Sequence, residues 1–133
     1  MMYLLDTNAV IGILRGRSRP LLARYVTVPR VRICTCSPVR AELFYGSLRS
    51  AKPGENRAKQ EEFLDGLTTF DFDDRAAEAY ARARAHVEAG GTSLGAMDYL
   101  IAAIAIANDL VLVTHNLREF SRIPDLRYDD WET

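Results

Sequence analysis

The stretch from Leu94 to Asn116 constrains this chain most, because it places a single carboxylate next to a long apolar run. Every residue from Tyr99 to Ala107 is apolar or aromatic, so a helix over this run has no fully polar face and should lie largely inside the protein. Asp98 comes directly before the run. Burying an unpaired carboxylate costs several kcal/mol. Asp98 therefore either charges the first turn of the helix, where the macrodipole favours an anion, or binds a cation at the mouth of a cleft.

Length and composition predict one globular domain over residues 1–133, with 48% hydrophobic and 26% charged residues. The amino-terminal apolar run lacks a basic leader, and the apolar run after Asp98 is shorter than the roughly 20 residues that cross a bilayer. We therefore expect a cytoplasmic protein without a membrane segment. The net charge of −1 does not by itself indicate a nucleic-acid-binding protein. All but two of the 17 basic residues are Arg, which suits phosphate but equally fits codon bias.

The spacing of apolar residues and helix-boundary signals predicts strands that alternate with helices. Short strands are predicted at residues 3–5, 31–35, 69–72, 110–113 and 126–128. Helices are predicted at residues 9–14, 37–50, 55–67 and 75–89, over the apolar run, and as one turn at 117–120. The first helix is expected to be capped by Thr7 or Asn8, and no element is predicted for the basic stretch from Arg15 to Arg30. The alternation indicates a three-layer α/β sandwich with a mainly parallel central sheet flanked by helices.

Three acids and an amide arise near the carboxyl ends of the predicted strands, where parallel sheets form their sites. Asp6 ends the first strand and Asn116 follows the fourth; Glu42 lies early in the helix after the second strand, and Asp98 early in the helix before the fourth. Each has an ordinary alternative as a helix-start acid, a solvated helix residue or a turn residue. Asp6 and Asp98, however, adjoin apolar segments, where solvated acids are unusual. Oxygen ligands of this kind suit Mg²⁺ or Mn²⁺, whereas zinc prefers His or Cys.

Several segments resemble the PIN-domain ribonucleases, and more narrowly the VapC-type toxins of bacterial type II toxin–antitoxin pairs. They are LLDTN at Leu4–Asn8, AEL and YG within Ala41–Gly46, DYLIAAIA at Asp98–Ala105, LVTHNLREF at Leu112–Phe120 and RIPDLRYDDW at Arg122–Trp131. The segments keep their order over nearly the whole chain. The resemblance implies a PIN-like domain that acts as a Mg²⁺- or Mn²⁺-dependent endoribonuclease, forms a homodimer and is inhibited by a cognate antitoxin.

Carried over by position, the resemblance makes Asp6, Glu42 and Asp98 the catalytic acids that hold the metal. Asn116 falls at a catalytic position where many members have a fourth Asp. An amide there would weaken a second Mg²⁺ site, so one tightly held metal is expected; Glu119 would offset this in part, but a solvated helix position explains it more simply. Three polar residues match positions that support the acids through hydrogen bonds: Thr7, Asn8 and Thr114.

The mechanism that the resemblance implies is hydrolysis of an RNA phosphodiester. A cation held by the acids would lower the pKa of a bound water and neutralise charge on the phosphate. In-line attack would expel the ribose 3′-oxygen and leave a 5′-phosphate. The family resemblance, and not the residue spacing, supplies RNA as the substrate. The candidate RNA-binding residues, each equally explained as a solvated surface group, are Arg15, Arg17, Arg40, His115 and Arg118.

Other functions remain open at the level of the sequence. A nuclease acting on DNA or structured junctions would use the same acids. A catalytically weak PIN-fold binding module would keep the fold to dock a partner peptide. A phosphatase with Asp6 as nucleophile is disfavoured, since no second Asp follows two residues later. On the helix that carries Glu42, three apolar residues belong either to an interface or to the core: Phe44, Tyr45 and Leu48.

Overall fold

The computed structural model describes all 133 residues and contains five strands and seven α-helices. The strands are β1 (Tyr3–Leu5), β2 (Ile33–Cys36), β3 (Thr68–Phe70), β4 (Val111–Val113) and β5 (Arg127–Asp129). The helices are α1 (Thr7–Arg15), α2 (Arg19–Thr27), α3 (Ser37–Leu48), α4 (Pro53–Leu64), α5 (Asp74–Ala89), α6 (Ala96–Ala107) and α7 (Leu117–Phe120). The predicted α/β sandwich is confirmed, and its sheet is parallel in every strand pair. None of the helices has the length and apolar character needed to span a membrane.

The sheet has the strand order β3-β2-β1-β4-β5, with β1 at its centre. The chain moves outward from β1 through β2 to β3, then returns to the other side of β1 to place β4 and β5. The direction of winding therefore reverses between β1 and β4. In open α/β sheets such a reversal leaves a crevice beyond the carboxyl ends of the two strands. Asp6 follows β1 and Thr114 follows β4, so both lie at this crevice.

The apolar helix predicted after Asp98 is α6, and it lies in the core. Its buried residues are Tyr99, Ile101, Ala102, Ala103, Ile104 and Ala105. The small alanine side chains allow α6 to pack closely along α5. The Tyr99 hydroxyl accepts a hydrogen bond from the Leu94 backbone N–H at 3.1 Å, so its polar end is satisfied. Asp98 stays half-buried in the first turn, at the end of α6 that faces the crevice.

The stretch from Arg15 to Arg30, for which no element was predicted, contains α2. The Ser18 side chain accepts a hydrogen bond from Leu21 N at 3.3 Å, and Pro20 occupies the first turn, which are ordinary helix-start features. Leu21 is the only buried residue of α2. Leu22, Tyr25 and Val28 are partly buried on the same side of the chain, at helical spacing from Leu21. The sequence therefore carried a helical period here, and leaving the stretch without an element was wrong.

Most element boundaries differ from the prediction by one to three residues, and two of these differences have a clear physical reason. The cap of α1 is Asp6, not Thr7 or Asn8, because Asp6 Oδ1 accepts from Ala9 N at 2.7 Å. Val31 is exposed in a 3₁₀ turn at Arg30–Arg32, so β2 begins at Ile33. The fourth helix covers residues 53–64 and not 55–67.

The chain closes in the C-terminal turn, which we define as Asp130–Glu132. Trp131 is buried, with its ring centroid 5.3 Å from that of Tyr3 and the Arg24 guanidinium 5.6 Å from its centre. The Glu132 backbone N–H donates to Asp130 Oδ1 at 2.8 Å. Because the tryptophan is fixed against β1, the two acids beside it are fixed at the same sheet edge as Asp6.

Candidate active site

Asp6 is the most buried acid at the crevice, with 7% of its surface exposed. Burial raises the pKa of Asp6 to about 6; hydrogen bonds from the Thr114 side chain and the Ala9 backbone lower it, and the charges of Asp98 and Glu132 raise it further. The ionised carboxylate is therefore poorly solvated and has acidic neighbours. A nearby cation would relieve both penalties.

Glu42 and Asp98 reach the crevice from α3 and α6. The Thr7 hydroxyl donates to Glu42 Oε1 at 2.6 Å, which joins the start of α1 to α3. Burial raises the pKa of Asp98, and the carboxylates of Glu42 and Glu119 raise it further. Asp98 therefore lies within electrostatic reach of both Asp6 and Glu42, although the three come from distant parts of the sequence. Their oxygens are not drawn to a common point, since no three Asp, Glu, His or Cys side chains form a metal-holding group.

A depression of about 460 Å³ opens beside Asp6, and none of its lining residues is hydrophobic. We call it the polar depression; it is lined by Asp6, Asn8, Arg17, His115, Asn116 and Glu132. The backbone N–H of Asn116 donates to the Thr114 hydroxyl at 3.0 Å, which turns the chain after β4 toward the depression. Two groups that can be cationic, Arg17 and His115, thus share one opening with a buried acid.

A second depression of about 180 Å³ lies between α1, α3 and α4, and we call it the helical groove. Its lining includes Ile11, Leu14, Arg15, Glu42, Leu43 and Gln60. Gly46 also lines it, and a Cβ at Gly46 would meet nothing within 4 Å. The Oε1 atom of Gln60 is buried here without a hydrogen-bond partner. Glu42 connects this groove with the acids of the crevice.

The basic residues predicted to bind RNA do not share one surface. Arg17 and His115 line the polar depression, Arg15 lines the helical groove, and Arg118 is exposed on α7. Arg40 lines neither the polar depression nor the helical groove. Its guanidinium lies 5.3 Å from the Phe44 ring centre, and it lines a separate depression beside the end of α4. Residues two positions apart on a helix are rotated by about 200° around its axis, so Arg40 and Glu42 point in nearly opposite directions.

Three acids at the site were not predicted as site residues: Glu119, Asp130 and Glu132. Glu119 is half-buried and raises the pKa of Asp98, although its sequence position indicated a solvated helix residue. Glu132 lines the polar depression, and Asp130 Oδ2 lies 2.9 Å from His115 Nδ1. Both acids follow the carboxyl end of β5. The rule that located Asp6 after β1 would have located them, had it been applied to the last strand.

The fold is that of the PIN domain, whose family profile matches residues 3–126. The tRNA(fMet)-specific endonuclease VapC of Salmonella typhimurium and the ribonuclease VapC2 of Haemophilus influenzae are each 37% identical to this chain, over 97% of both sequences. The crystal structure of VapBC2 from Rickettsia felis bound to a DNA fragment from their promoter matches with a TM-score of 0.90 at 34% identity, covering 98% of this chain and 99% of that one. The chain belongs to the VapC-type ribonucleases of the PIN-domain family.

Proposed function

We propose that this chain is a metal-dependent endoribonuclease toxin that is held inactive by a cognate antitoxin. The observation that carries the proposal is that Asp6, Glu42 and Asp98 lie near one crevice between β1 and β4, where burial and neighbouring carboxylates disfavour the ionised forms of Asp6 and Asp98. Its relatives are named ribonucleases, and one is named for tRNA(fMet). Initiator tRNA is accordingly the first RNA to test.

The donor set fits Mg²⁺ or Mn²⁺ in its chemistry, because the clustered acids offer only carboxylate oxygens. Asp6 and Asp98 would hold the ion, and Glu42 would hold it directly or through water. When bound, such an ion acidifies water and neutralises charge on a phosphodiester. Asn116 adds no charge, so we expect one tightly held ion. The acids do not converge on a shared point, and a bound cation would offset the repulsion between them.

The polar residues around the acids orient them. Thr7 holds Glu42 Oε1, and the Ala9 backbone N–H holds Asp6 Oδ1, so each carboxylate keeps its second oxygen for other partners. Thr114 is buried between Asp6 and the turn to Asn116. Supporting bonds of this kind fix ligand orientation in metal sites. Hydrolysis at this position by in-line attack of water expels the 3′-oxygen, so the fragments carry 5′-phosphates.

Two partners belong to the proposal. The apolar residues of the helical groove suit an amphipathic segment of an antitoxin, and related chains have been solved as VapBC complexes. Tyr45 and Leu48 are 62% and 73% exposed and therefore lie outside the core, and exposed apolar side chains on one helix support a homodimer. A cytoplasmic location is part of the same proposal.

The test is a cleavage assay on total cellular RNA and on tRNA(fMet), with Mg²⁺ or with EDTA. We expect cleavage only with the metal, and sequenced fragment ends that begin with 5′-phosphate. Asp98→Asn, purified identically, excludes a contaminating ribonuclease, and Glu62→Gln removes an exposed, unpaired acid on α4 as the matched control. Undiminished cleavage by Asp98→Asn would refute the assignment. Cleavage of DNA instead of RNA would favour a DNA nuclease, and antitoxin binding without any cleavage would favour a binding module.

A further inference from the structure

We propose that Arg17 and His115 bind an RNA backbone phosphate at the polar depression, and that the C-terminal turn holds both side chains in position. The inference rests on the proposed function and names how the substrate is gripped beside the acids. It adds Asp130 and Glu132 as positioning residues.

His115 is held by one of its two ring nitrogens. Its Nδ1 lies 2.9 Å from Asp130 Oδ2, and the Asp130 side chain is only 8% exposed, whereas that of His115 is 61% exposed. A carboxylate can only accept, so Nδ1 carries the proton, and Nε2, which makes no hydrogen bond to the protein, is left for a ligand. The Asp130 and Glu132 carboxylates raise the pKa of His115, and Arg17 lowers it to a smaller degree. As an imidazolium, the ring donates Nε2–H to an anion.

Arg17 is held across the start of α1. Its Nη2 donates to the Asn8 carbonyl at 3.3 Å and lies 3.7 Å from Glu132 Oε1. A Cβ at Gly12 would lie 2.9 Å from the same Nη2, so the glycine gives the guanidinium its place against the helix. Arg17 keeps its charge at any physiological pH and matches the geometry of a phosphate. The Arg17 side chain is 46% exposed, so an incoming anion can reach its guanidinium.

Asp130 and Glu132, the acids that contact His115 and Arg17, both belong to the C-terminal turn. Trp131 is buried between Tyr3 and Arg24, and the acids on its two sides point to His115 and Arg17. Each cation is therefore placed in advance, which lowers the entropy lost when RNA binds. An RNA phosphate is the occupant that the site favours over an acidic peptide, because the depression also contains Asp6 and opens at the cluster proposed to cleave phosphodiesters.

If Asp130 positions His115, removing the charge of Asp130 should change RNA affinity in the direction opposite to the one that charge repulsion alone predicts. Asp130 is an acid beside a proposed RNA site, so removing its charge should tighten RNA binding if it acts only through repulsion. If it holds His115, the same change should weaken binding. Asp130→Asn keeps an oxygen for the Glu132 backbone N–H but removes the charge that favours the imidazolium.

The experiment measures anisotropy of a short fluorescein-labelled single-stranded RNA in EDTA, where cleavage is suppressed, at several salt concentrations. We expect His115→Ala and Arg17→Ala each to weaken binding by about five- to tenfold, the loss of one charge-assisted contact. Each should also reduce the slope of log K against log salt by about 0.7, as one lost phosphate contact does for a single strand. With Mg²⁺, the same variants should raise KM far more than they lower kcat.

Asp130→Asn should weaken binding in the native chain and have no such effect in the His115→Ala background. Asp125→Asn is the matched control: it removes an exposed, unpaired acid before β5, at a left-handed φ of 66° that Asn tolerates equally well. Thermal melting of every variant detects unfolding. Tighter RNA binding by Asp130→Asn, or an unchanged salt slope in both alanine variants, overturns the inference.

Failure of the two proposals can be distinguished. If the native chain cleaves RNA but the alanine variants bind it normally, only the phosphate-binding role of Arg17 and His115 is wrong. If no RNA is cleaved but RNA binding depends on both Arg17 and His115, the ribonuclease assignment is wrong and the phosphate-binding role of these two residues is supported. A DNA strand of the same sequence should show the same losses; losses confined to RNA would place the contact on the ribose and overturn the phosphate assignment.

Discussion

The polar depression adjoins the start of α1 at Asn8, whereas the helical groove adjoins its later residues Ile11, Leu14 and Arg15, and the two surfaces differ in lining and charge. The first has no hydrophobic lining and contains charges of both signs, among them a carboxylate whose pKa is raised to about 6. The second is narrower, is partly lined by Ile11, Leu14 and Leu43, and has open space above Gly46. Charged ligands suit the first surface, and an amphipathic peptide suits the second.

The two surfaces are nevertheless coupled at one hydrogen bond. Glu42 lines the helical groove, accepts from Thr7 at the start of α1 and acts on the charge of Asp98. A peptide seated in the groove can therefore disturb the acidic cluster through Glu42 without covering the polar depression. We expect substitutions to separate the two surfaces: cleavage should depend on one and partner binding on the other.

The largest expected effect is on cleavage. Asp98→Asn should lower the cleavage rate by more than about 100-fold, since loss of even a supporting residue at a metal site costs about 10- to 100-fold. Because the amide has almost the same volume, antitoxin affinity measured by calorimetry should change little. A variant that lost both activities would show that the surfaces do not act separately.

The second prediction concerns the helical groove. Gly46→Trp fills the space above α3, so it should weaken binding of the co-expressed cognate antitoxin by at least about tenfold, equivalent to 1.4 kcal/mol. The cleavage rate of the antitoxin-free protein should stay within a factor of about two, because Gly46 does not line the polar depression. Unchanged antitoxin affinity would move the partner site away from this groove.

The third prediction is a pH dependence of stability in the metal-free protein. Folding raises the pKa of Asp6 from its usual 3.8 to about 6, mainly by burial, so the native state binds the proton more tightly than the unfolded state. Stability contributed by this group is therefore present at low pH and falls by about 3 kcal/mol as the pH rises from about 4 to about 6. Urea unfolding in EDTA at several pH values measures it.

Asp6→Asn provides the control for that dependence. Asparagine caps a helix as well as aspartate does, so this variant should keep α1 and show a flatter profile. At pH 7 it should be more stable than the native chain in EDTA, and added Mg²⁺ should narrow the gap by stabilising only the native chain. If the free energy of unfolding of the native chain instead rose between about pH 4 and 6, this would contradict the burial of an ionisable Asp6.

The smallest expected effect is a change in protein stability from a substitution in α3, the helix that carries Gly46. Gly46→Ala adds a methyl group that contacts nothing and improves helix propensity, so it should stabilise the protein by about 0.5–1 kcal/mol. Gly12→Ala is the matched contrast in α1. Its Cβ would lie 2.8 Å from Leu21 Cδ2, and the substitution should therefore destabilise the protein. Denaturant midpoints of the two variants should shift in opposite directions.

Much of the fold could be predicted because its signals are local. The unbroken apolar run after Asp98 predicted a buried helix, and short apolar segments before Asp6 and Asn116 predicted strands; α6, β1 and β4 confirm them. The helix α2 was missed although its signals are local too: Ser18 and Pro20 mark its start, and Leu21, Leu22 and Tyr25 face inward at helical spacing among basic residues. The position of Arg40 could not be predicted for a different reason, because nearness in sequence to Glu42 does not imply the same helix face.

The sequence by itself determined the alternation of strands and helices, the apolar setting of Asp98 and the chemical type of the clustered side chains, because these depend on residue identity and short-range spacing. The tertiary structure alone decided which charges face one another. The return of the chain from β3 to β4 brings Thr114 beside Asp6, and the packing of Trp131 against Tyr3 brings Asp130 to His115. Contacts between residues so far apart along the chain arise from strand order and core packing, which no local pattern contains.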